Sequence, residues 1–418
     1  MVNGFNNLTA PTRNAYTALE EAPPAECKTL HIVESASVRP AHVLFIIDEL
    51  YEIGGAERAL FKMVRLLPRE LFRCSILTFK VNEQAEEIKN IACPLHVMPL
   101  RKTYDLNAFK VARQIRHLIR RERVAIVHTF FETSDLWAGL IARLSGCPVL
   151  ISSRRDLGIL RSRKHGIAYR LMGRFYDAVL AVSPQVRDFC IQQDGLDPAR
   201  VRTLFNGVEI DRILNSTSRS VMRQKMSIPG DVPVITTVGN IRRVKGIDVL
   251  VQAAGVVCQK HPNALFLVAG RESEPEYCRE LEERISTLGL ARNFRFLGSR
   301  EDVFSILKMS DIFCLPSRSE GFSNALIEAM ASNLPCVATD VGGNREVLRH
   351  GDSGFIVASE DWQDMACRLI HLLDDPSLAS EMGLRGGELV HSHFTAEAMM
   401  GSLVKVYQEL LRAKQVRT

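Results

Sequence analysis

The chain has 418 residues, 46% of them hydrophobic and 24% charged, with 26 Gly, 17 Pro and 10 Cys. That balance excludes a disordered, collagen-like or low-complexity protein, and the length exceeds what one small core organises, so two domains are expected. The formal charge of +5 is uneven: residues 1–211 carry 29 Lys+Arg against 23 Asp+Glu, residues 212–418 are close to neutral, and residues 101–174 hold 16 basic against 5 acidic side chains.

Residues 1–39 show no sustained periodicity, and Pro23-Pro24 interrupts any helix there, so they are expected to form a mobile tail. From His42 the texture changes. Val43–Ile47 is a short apolar run ended by Asp48 and followed by Gly54-Gly55, the pattern of a buried strand meeting a functional loop. The next segment places Leu60, Val64 and Leu67 on one helical face. Strand-like runs recur at Cys74–Phe79, Leu95–Met98, Val124–His128, Val149–Ser152 and Ala178–Val182, with helical patterns at Leu106–Arg121 and Asp135–Leu144. Strand alternating with helix predicts a parallel sheet covered on both faces, and residues 40–211 read as the first such domain.

Residues 212–231 are polar and irregular and read as a linker. The alternation then restarts over 232–393, with strands at Val234–Val238, Leu265–Ala269, Phe294–Phe296, Ile312–Leu315, Cys336–Thr339 and Phe355–Val357. Residues 394–418 form a last helix, expected to cross back to the first domain. The fold class is therefore α/β, two Rossmann-like doubly wound domains facing a central cleft, with ligands expected at the carboxyl ends of both sheets. The sequence has no 18-residue apolar segment and no basic-then-apolar leader order, so a chain that neither spans a membrane nor carries an obvious export signal is expected. The closest cysteines, Cys74 and Cys93, stand 19 positions apart. No thiolate metal spacing results, and the thiols read as reduced residues in a cytoplasmic compartment.

The stretch Pro316-Ser317-Arg318-Ser319-Glu320-Gly321-Phe322-Ser323-Asn324-Ala325-Leu326-Ile327-Glu328 runs from a strand end through a glycine loop into a helix. Two carboxylates, Glu320 and Glu328, can approach one ligand there, and Gly321 with the following backbone N–H groups lies where a helix start can hold phosphate. Carboxylates accept hydrogen bonds from vicinal hydroxyls, which suits a ribose and a sugar ring. Read structurally, the same Glu320 is a turn residue and Glu328 a solvated helix position.

Glu320 and Glu328, seven residues between them, in the frame Ser-Glu-Gly-Phe…Glu-Ala-Met-Ala and continued by Pro335–Glu346, resemble the signature of the retaining family-four glycosyltransferases, whose two-domain architecture is called GT-B. Gly54-Gly55-Ala56-Glu57-Arg58, Ser183, Asn206-Gly207-Val208 and Val238-Gly239-Asn240…Lys245-Gly246 match in order, so the resemblance covers nearly the whole chain from His42. It implies a nucleoside-diphosphate-sugar donor on the second domain. Glu328 would bind the ribose; Glu320, with the backbone at Gly321, Phe322 and Ser323, would hold the sugar. Lys245 would neutralise the diphosphate, a charge that some cation must meet where no metal-binding motif is present. The common pattern has Arg directly after Gly239; Asn240 stands here, and Arg242 is expected to reach the same phosphates. Gly54 and Gly55 would let backbone approach the donor from the first domain. Many relatives place a histidine where this chain has Phe130. His128, at the end of a buried strand, is expected to take over part of that role, the alternative being a core histidine. No cofactor is implied.

Arg113, Arg116, Arg120, Arg121 and Arg123 decorate one helix, and Arg154, Arg155, Arg161, Arg163, Lys164, Arg170 and Arg174 interleave with apolar residues further on. Such stretches suit an anionic membrane surface or a phosphate-bearing acceptor, the bland alternative being a solvated face; no nucleic-acid recognition motif accompanies them. The sequence thus predicts a retaining glycosyltransferase acting on a carbohydrate or lipid-linked acceptor, cytoplasmic or peripheral at the inner membrane face. The competing readings are a sugar-nucleotide-binding protein without turnover and a sugar-nucleotide epimerase.

Overall fold

The computed structural model describes residues 39–158 and 163–416, apart from the side chains of Arg163 and Lys164. The expected tail lies outside the described residues, as does Arg161. The described chain from Pro40 onward belongs to one compact unit.

Continuous apolar runs become strands buried on both faces, as a parallel sheet requires. The first sheet comprises β1 (Ala41–Ile47), β2 (Phe72–Thr78), β3 (Leu95–Val97), β4 (Val124–Phe130), β5 (Val149–Arg154), β6 (Ala178–Ala181) and β7 (Val201–Thr203), in the order β3-β2-β1-β4-β5-β6-β7. The second comprises β8 (Val234–Val238), β9 (Leu265–Ala269), β10 (Phe294–Phe296), β11 (Ile312–Leu315), β12 (Cys336–Thr339) and β13 (Gly354–Val357), in the order β10-β9-β8-β11-β12-β13. All these ladders are parallel. Each order reverses direction once, between β1 and β4 and between β8 and β11, and those reversals open crevices at the carboxyl ends of the strands. The architecture is the α/β, two-sheet arrangement expected.

Three departures from the sequence reading have physical causes. β7 escaped it because Val201-Arg202-Thr203 carries a single apolar residue. Residues 212–231 are not irregular throughout: helices span Ile210–Leu214 and Arg219–Lys225. Arg219 and Arg223 pair with Asp311 at 2.6 and 2.7 Å, and Met222 and Ile228 are buried with β8 and β9 residues, so most of the segment packs on the second sheet. The helix read from Asp135 begins instead as a widened π turn, Ser134–Ala138. The Asp135 carbonyl there accepts a hydrogen bond from the Tyr176 hydroxyl at 2.6 Å, which competes with the ordinary helical ladder.

Helix Ala396–Ala413, capped by Thr395 accepting from the Ala398 N–H, lies on the first sheet. Met399, Leu403 and Tyr407 share a core with Phe45, Ile126 and Phe130. The chain reaches it through a crossing beside the first domain's end: Val208 N–H donates to the Phe394 carbonyl and Ala396 N–H to the Val208 carbonyl, both at 2.9 Å. Phe205, Phe322 and Phe394 meet there with ring centroids 5.2–5.8 Å apart. Apolar contact therefore continues from one sheet layer to the other, under the cleft.

Candidate functional site

The carboxyl end of β8 turns at Gly239, whose φ of +155° lies where only glycine is comfortable. The chain then forms a short turn, Arg243–Lys245, and enters helix Ile247–Lys260. Lys245 Nζ donates to Glu320 Oε1 at 2.7 Å, and the Ser317 hydroxyl donates to the same oxygen at 2.7 Å. Glu320, on the loop after β11, is nearly buried, while Lys245 keeps about a quarter of its side chain exposed (27%). A second ion pair fixes these two loops: Arg318 grips Asp248 with two hydrogen bonds of 2.8 Å, and its N–H donates to the Val244 carbonyl at 2.8 Å. Burial alone would push the Asp248 carboxyl up, but hydrogen bonds from Arg318 and Tyr277 outweigh it and hold it down to about 2. Asp248 therefore stays charged and the Lys245 turn stays anchored.

Helix Asn324–Ala331 starts at Ser323, whose Oγ accepts from the Leu326 N–H at 3.3 Å. Among the described residues, the backbone N–H groups of Gly321, Phe322 and Ser323 donate to no protein group, leaving donors at a helix start. Gly321 itself is pressed against the first domain, since a Cβ there would lie 2.0 Å from the Arg155 carbonyl oxygen. Its lack of a side chain serves that close approach, and the Phe322 ring serves the aromatic junction.

Glu328, one turn into the helix, is half-buried, and its carboxyl accepts no hydrogen bond from protein among the described residues. Burial pushes its pKa up, and the charges of Lys62, Arg58 and Arg212 counter this. Lys62 and Arg58 come from helix Gly55–Leu66 of the first domain, so the Glu328 carboxylate faces a cationic surface across the domain gap. Lys62 Nζ also donates to the Gly207 carbonyl. Asn206, bonded to Arg155 at 2.5 Å and to Asn324 at 2.7 Å, completes the polar seam.

Arg242 does not stand free for phosphate. It pairs with Glu52 of the first domain at 2.8 Å, and Arg271 pairs with the same carboxylate at 2.7 Å. Gly54 also departs from expectation: its N–H donates to Glu57 at 2.9 Å, so that amide caps its own helix, while Gly55 lies against Asn324.

His128 is corrected outright. Its side chain is wholly buried, Nδ1 lies 2.7 Å from the Tyr407 hydroxyl and Nε2 2.9 Å from the Ser153 hydroxyl, and its ring stacks on Phe130. Burial, then the Arg155 charge, lowers its pKa to about 3. A neutral imidazole with both nitrogens engaged in the core has no route to a reacting sugar. Arg154 is likewise no surface charge: it is buried between Asp135 and Asp194, each 3.6 Å away, over the Tyr169 ring.

Sequence reasoning missed Asp48, although the strand-end carboxylate before a glycine pair was visible. Asp48 accepts from the Thr133 and Ser134 N–H groups and the Ser134 hydroxyl at 2.6–2.9 Å, joining the two strands that flank the first crevice. Burial pushes it up to about 6, against those hydrogen bonds. Lys62 and Glu52 were missed as well, because no local spacing announces a partner from the other domain, and Asp248 because its partner Arg318 stands 70 positions away.

Comparison with known proteins fits this geometry. Residues 53–212 match the family described as Glycosyltransferase Family 4, and residues 218–388 match Glycosyl transferases group 1. A D-inositol 3-phosphate glycosyltransferase 2 from Catenulispora acidiphila is 31% identical over 317 residues, covering 70% of this chain and 73% of that protein. The chain belongs to the family-four glycosyltransferases. Among other relatives of this family-four chain, the UDP-Gal:α-D-GlcNAc-diphosphoundecaprenol α-1,3-galactosyltransferase of Escherichia coli is 23% identical over 78% of this chain and 86% of its own length. The match to the N-acetyl-α-D-glucosaminyl L-malate synthase of Bacillus anthracis, 31% identical over 51% of this chain, spans only about half of that relative (54%). The fold is that of HepE from Anabaena, solved with UDP and glucose: TM-score 0.78, 20% identity, 88% of this chain and all of that one.

Proposed function

We propose that the protein moves a sugar from a nucleoside diphosphate to a carbohydrate or lipid-linked acceptor with retention of anomeric configuration. The observation that carries this reading is the Lys245–Glu320 pair beside the unoccupied backbone donors of Gly321–Ser323 and one helical turn from Glu328. The arrangement offers a cation and N–H groups to a leaving diphosphate and carboxylates to hydroxyls, the two demands of a nucleotide sugar. As the bond from the anomeric carbon to the diphosphate oxygen breaks, charge grows on that oxygen, where Lys245 can stabilise it. The acceptor hydroxyl attacks the same face and gives its proton to the departing phosphate, so no protein base is required. Loss of a histidine at Phe130 and the burial of His128 are compatible with that route.

The lipid-linked acceptor is supported by the family relatives and by a surface of helix Leu106–Arg121. Its buried stripe is Ala108, Val111, Ile115, Leu118 and Ile119, yet Tyr104, Leu106 and Phe109 are 82%, 91% and 67% exposed, beside exposed Lys102, Lys110 and Arg113. Apolar tips ringed by cations match an interface of anionic headgroups and acyl chains. Among the described residues no helix is long and apolar enough to cross a membrane, so the proposed attachment is peripheral.

The test is a calorimetric titration with UDP, GDP and ADP, followed by radiolabel transfer from the matching nucleotide sugars into a membrane extract. Saturable binding, release of nucleoside diphosphate and an α-configured product from an α-linked donor are expected. Binding without release would replace the transferase reading by a sugar-nucleotide-binding protein, and absence of binding to all three would remove both.

A further inference from the structure

A reactive pair of side chains lies at the opposite edge of the first sheet, near the amino ends of β2 and β3. The parallel register sets Ile76 beside Leu95, and the Ile76 N–H donates to the Pro94 carbonyl at 2.9 Å. Two residues back along each strand stand Cys74 and Cys93, on the same face by the alternation of side chains. The Cys74 thiol donates to the Val64 carbonyl at 3.8 Å, and the two neighbouring thiols act on one another electrostatically. Arg69 holds the pair together: its guanidinium donates to Cys74 Sγ at 3.1 Å, to the Val64 carbonyl at 2.9 Å and to the Ala92 carbonyl at 3.2 Å, so it pins the residue before Cys93 against Cys74. Cys74 is buried and Cys93 partly exposed, which opens the pair to small solutes through Cys93. The neighbouring Cys93 and then the Arg69 charge outweigh burial and pull the Cys74 thiol down to about 7. A sizeable thiolate fraction at neutral pH follows.

We propose that Cys74 and Cys93 form a site of reversible oxidation, a dithiol that a hydroperoxide converts to a disulfide. The Cys74 thiolate attacks a peroxide oxygen, the O–O bond breaks, and a sulfenic acid and hydroxide form. The Cys93 sulfur then attacks the sulfenic sulfur; its proton and the departing hydroxyl leave as water, and the S–S bond closes. Overall, two thiols and one hydrogen peroxide give one disulfide and two waters, and a small dithiol reverses the change. The inference is independent of the transferase reading, because neither sulfur touches the cleft.

The experiment treats the full-length protein with hydrogen peroxide at pH 7, blocks residual thiols with N-ethylmaleimide, and maps unreduced tryptic peptides by mass spectrometry. Arg73 and Lys80 release one cysteine in the peptide Cys74–Lys80, and Lys89 and Arg101 release the other in Asn90–Arg101. A disulfide-linked pair of these two peptides is expected, dissociated by dithiothreitol. In Cys93→Ser the link should vanish and a dimedone adduct should form on Cys74. The proposal is overturned if both peptides remain alkylated while the exposed Cys367 is oxidised, or if either thiol is found joined to a different cysteine.

Discussion

Lys245 Nζ lies 2.7 Å from Glu320 Oε1, and the two charges thereby satisfy one another across 75 positions of sequence. In the proposed reaction a diphosphate entering beside Lys245 would compete for its ammonium and free the Glu320 carboxylate to receive sugar hydroxyls, so one binding event would prepare both residues. Lys245→Ala should lower kcat/KM for the donor by about 100- to 1000-fold, the usual cost of losing one group that stabilises a leaving anion. In titrations it should weaken a nucleoside diphosphate more than the free nucleoside. Equal losses for the two ligands would show that Lys245 does not face the phosphates.

Glu328 and Lys62 form the second coupled pair. Burial raises the Glu328 pKa and Lys62 opposes that rise; in the proposed donor site the carboxylate form is the one that would accept from ribose hydroxyls. Donor affinity should fall as pH drops through the Glu328 pKa, and in Lys62→Met the fall should begin at a higher pH. Dissociation constants measured from pH 4.5 to 8 on both proteins check this. Superimposable profiles would mean that Lys62 exerts no field on the site.

Asp48 predicts a stability signature. Its folded pKa of about 6 stands above its ordinary value of 3.8. The unfolded chain therefore releases this proton first, and stability falls as pH rises from about 4 to 6, then levels off. Asp48→Asn removes that dependence. The wild-type minus variant unfolding free energy should drop by roughly 2–3 kcal/mol across the window, read from urea melts at pH 4, 5, 6 and 7; a constant difference would refute it.

His128 and Tyr407 separate a core role from a catalytic one. Tyr407→Phe leaves His128 Nδ1 buried without its hydroxyl partner, at a cost of about 1–3 kcal/mol in urea melts. The donor KM and the kcat of the folded enzyme should stay within about twofold. A large loss of kcat at unchanged stability would restore a catalytic role for the histidine.

The exposed tip of helix Leu106–Arg121 gives the fifth test. Changing Leu106 and Phe109 together to Ser should reduce co-sedimentation with vesicles of phosphatidylglycerol and leave UDP titrations unchanged. Because those side chains are largely solvent-exposed, stability should change by less than about 0.5 kcal/mol. Unaltered sedimentation would remove this helix as the docking surface.

The legibility of these features in sequence follows how local their causes are. Buried strands such as β1 and β4 are continuous apolar runs, and the Glu320–Glu328 segment carries its own signature, so both could be read directly. His128 was misread because a strand end can point to the cleft or the core, and the deciding Tyr407 hydroxyl comes from 279 positions away. Arg242 looked free because Glu52 approaches it from the other domain. Basic residues between 101 and 174 look alike as letters, yet Arg154 is buried between two aspartates while Arg113 faces solvent. The spacing of 19 between Cys74 and Cys93 concealed neighbours that strand pairing brings together.

The return of helix Ala396–Ala413 to the first sheet bears on the order of synthesis. Tyr407, Leu403 and Met399 complete the apolar layer beneath β1 and β4, so the half of the protein made first cannot close its core until the half made second has been translated. An emerging chain holds an unfinished hydrophobic face throughout that interval, the kind of surface that chaperones bind. Synthesis of this late helix, rather than completion of either sheet, then marks the moment at which the first domain becomes whole.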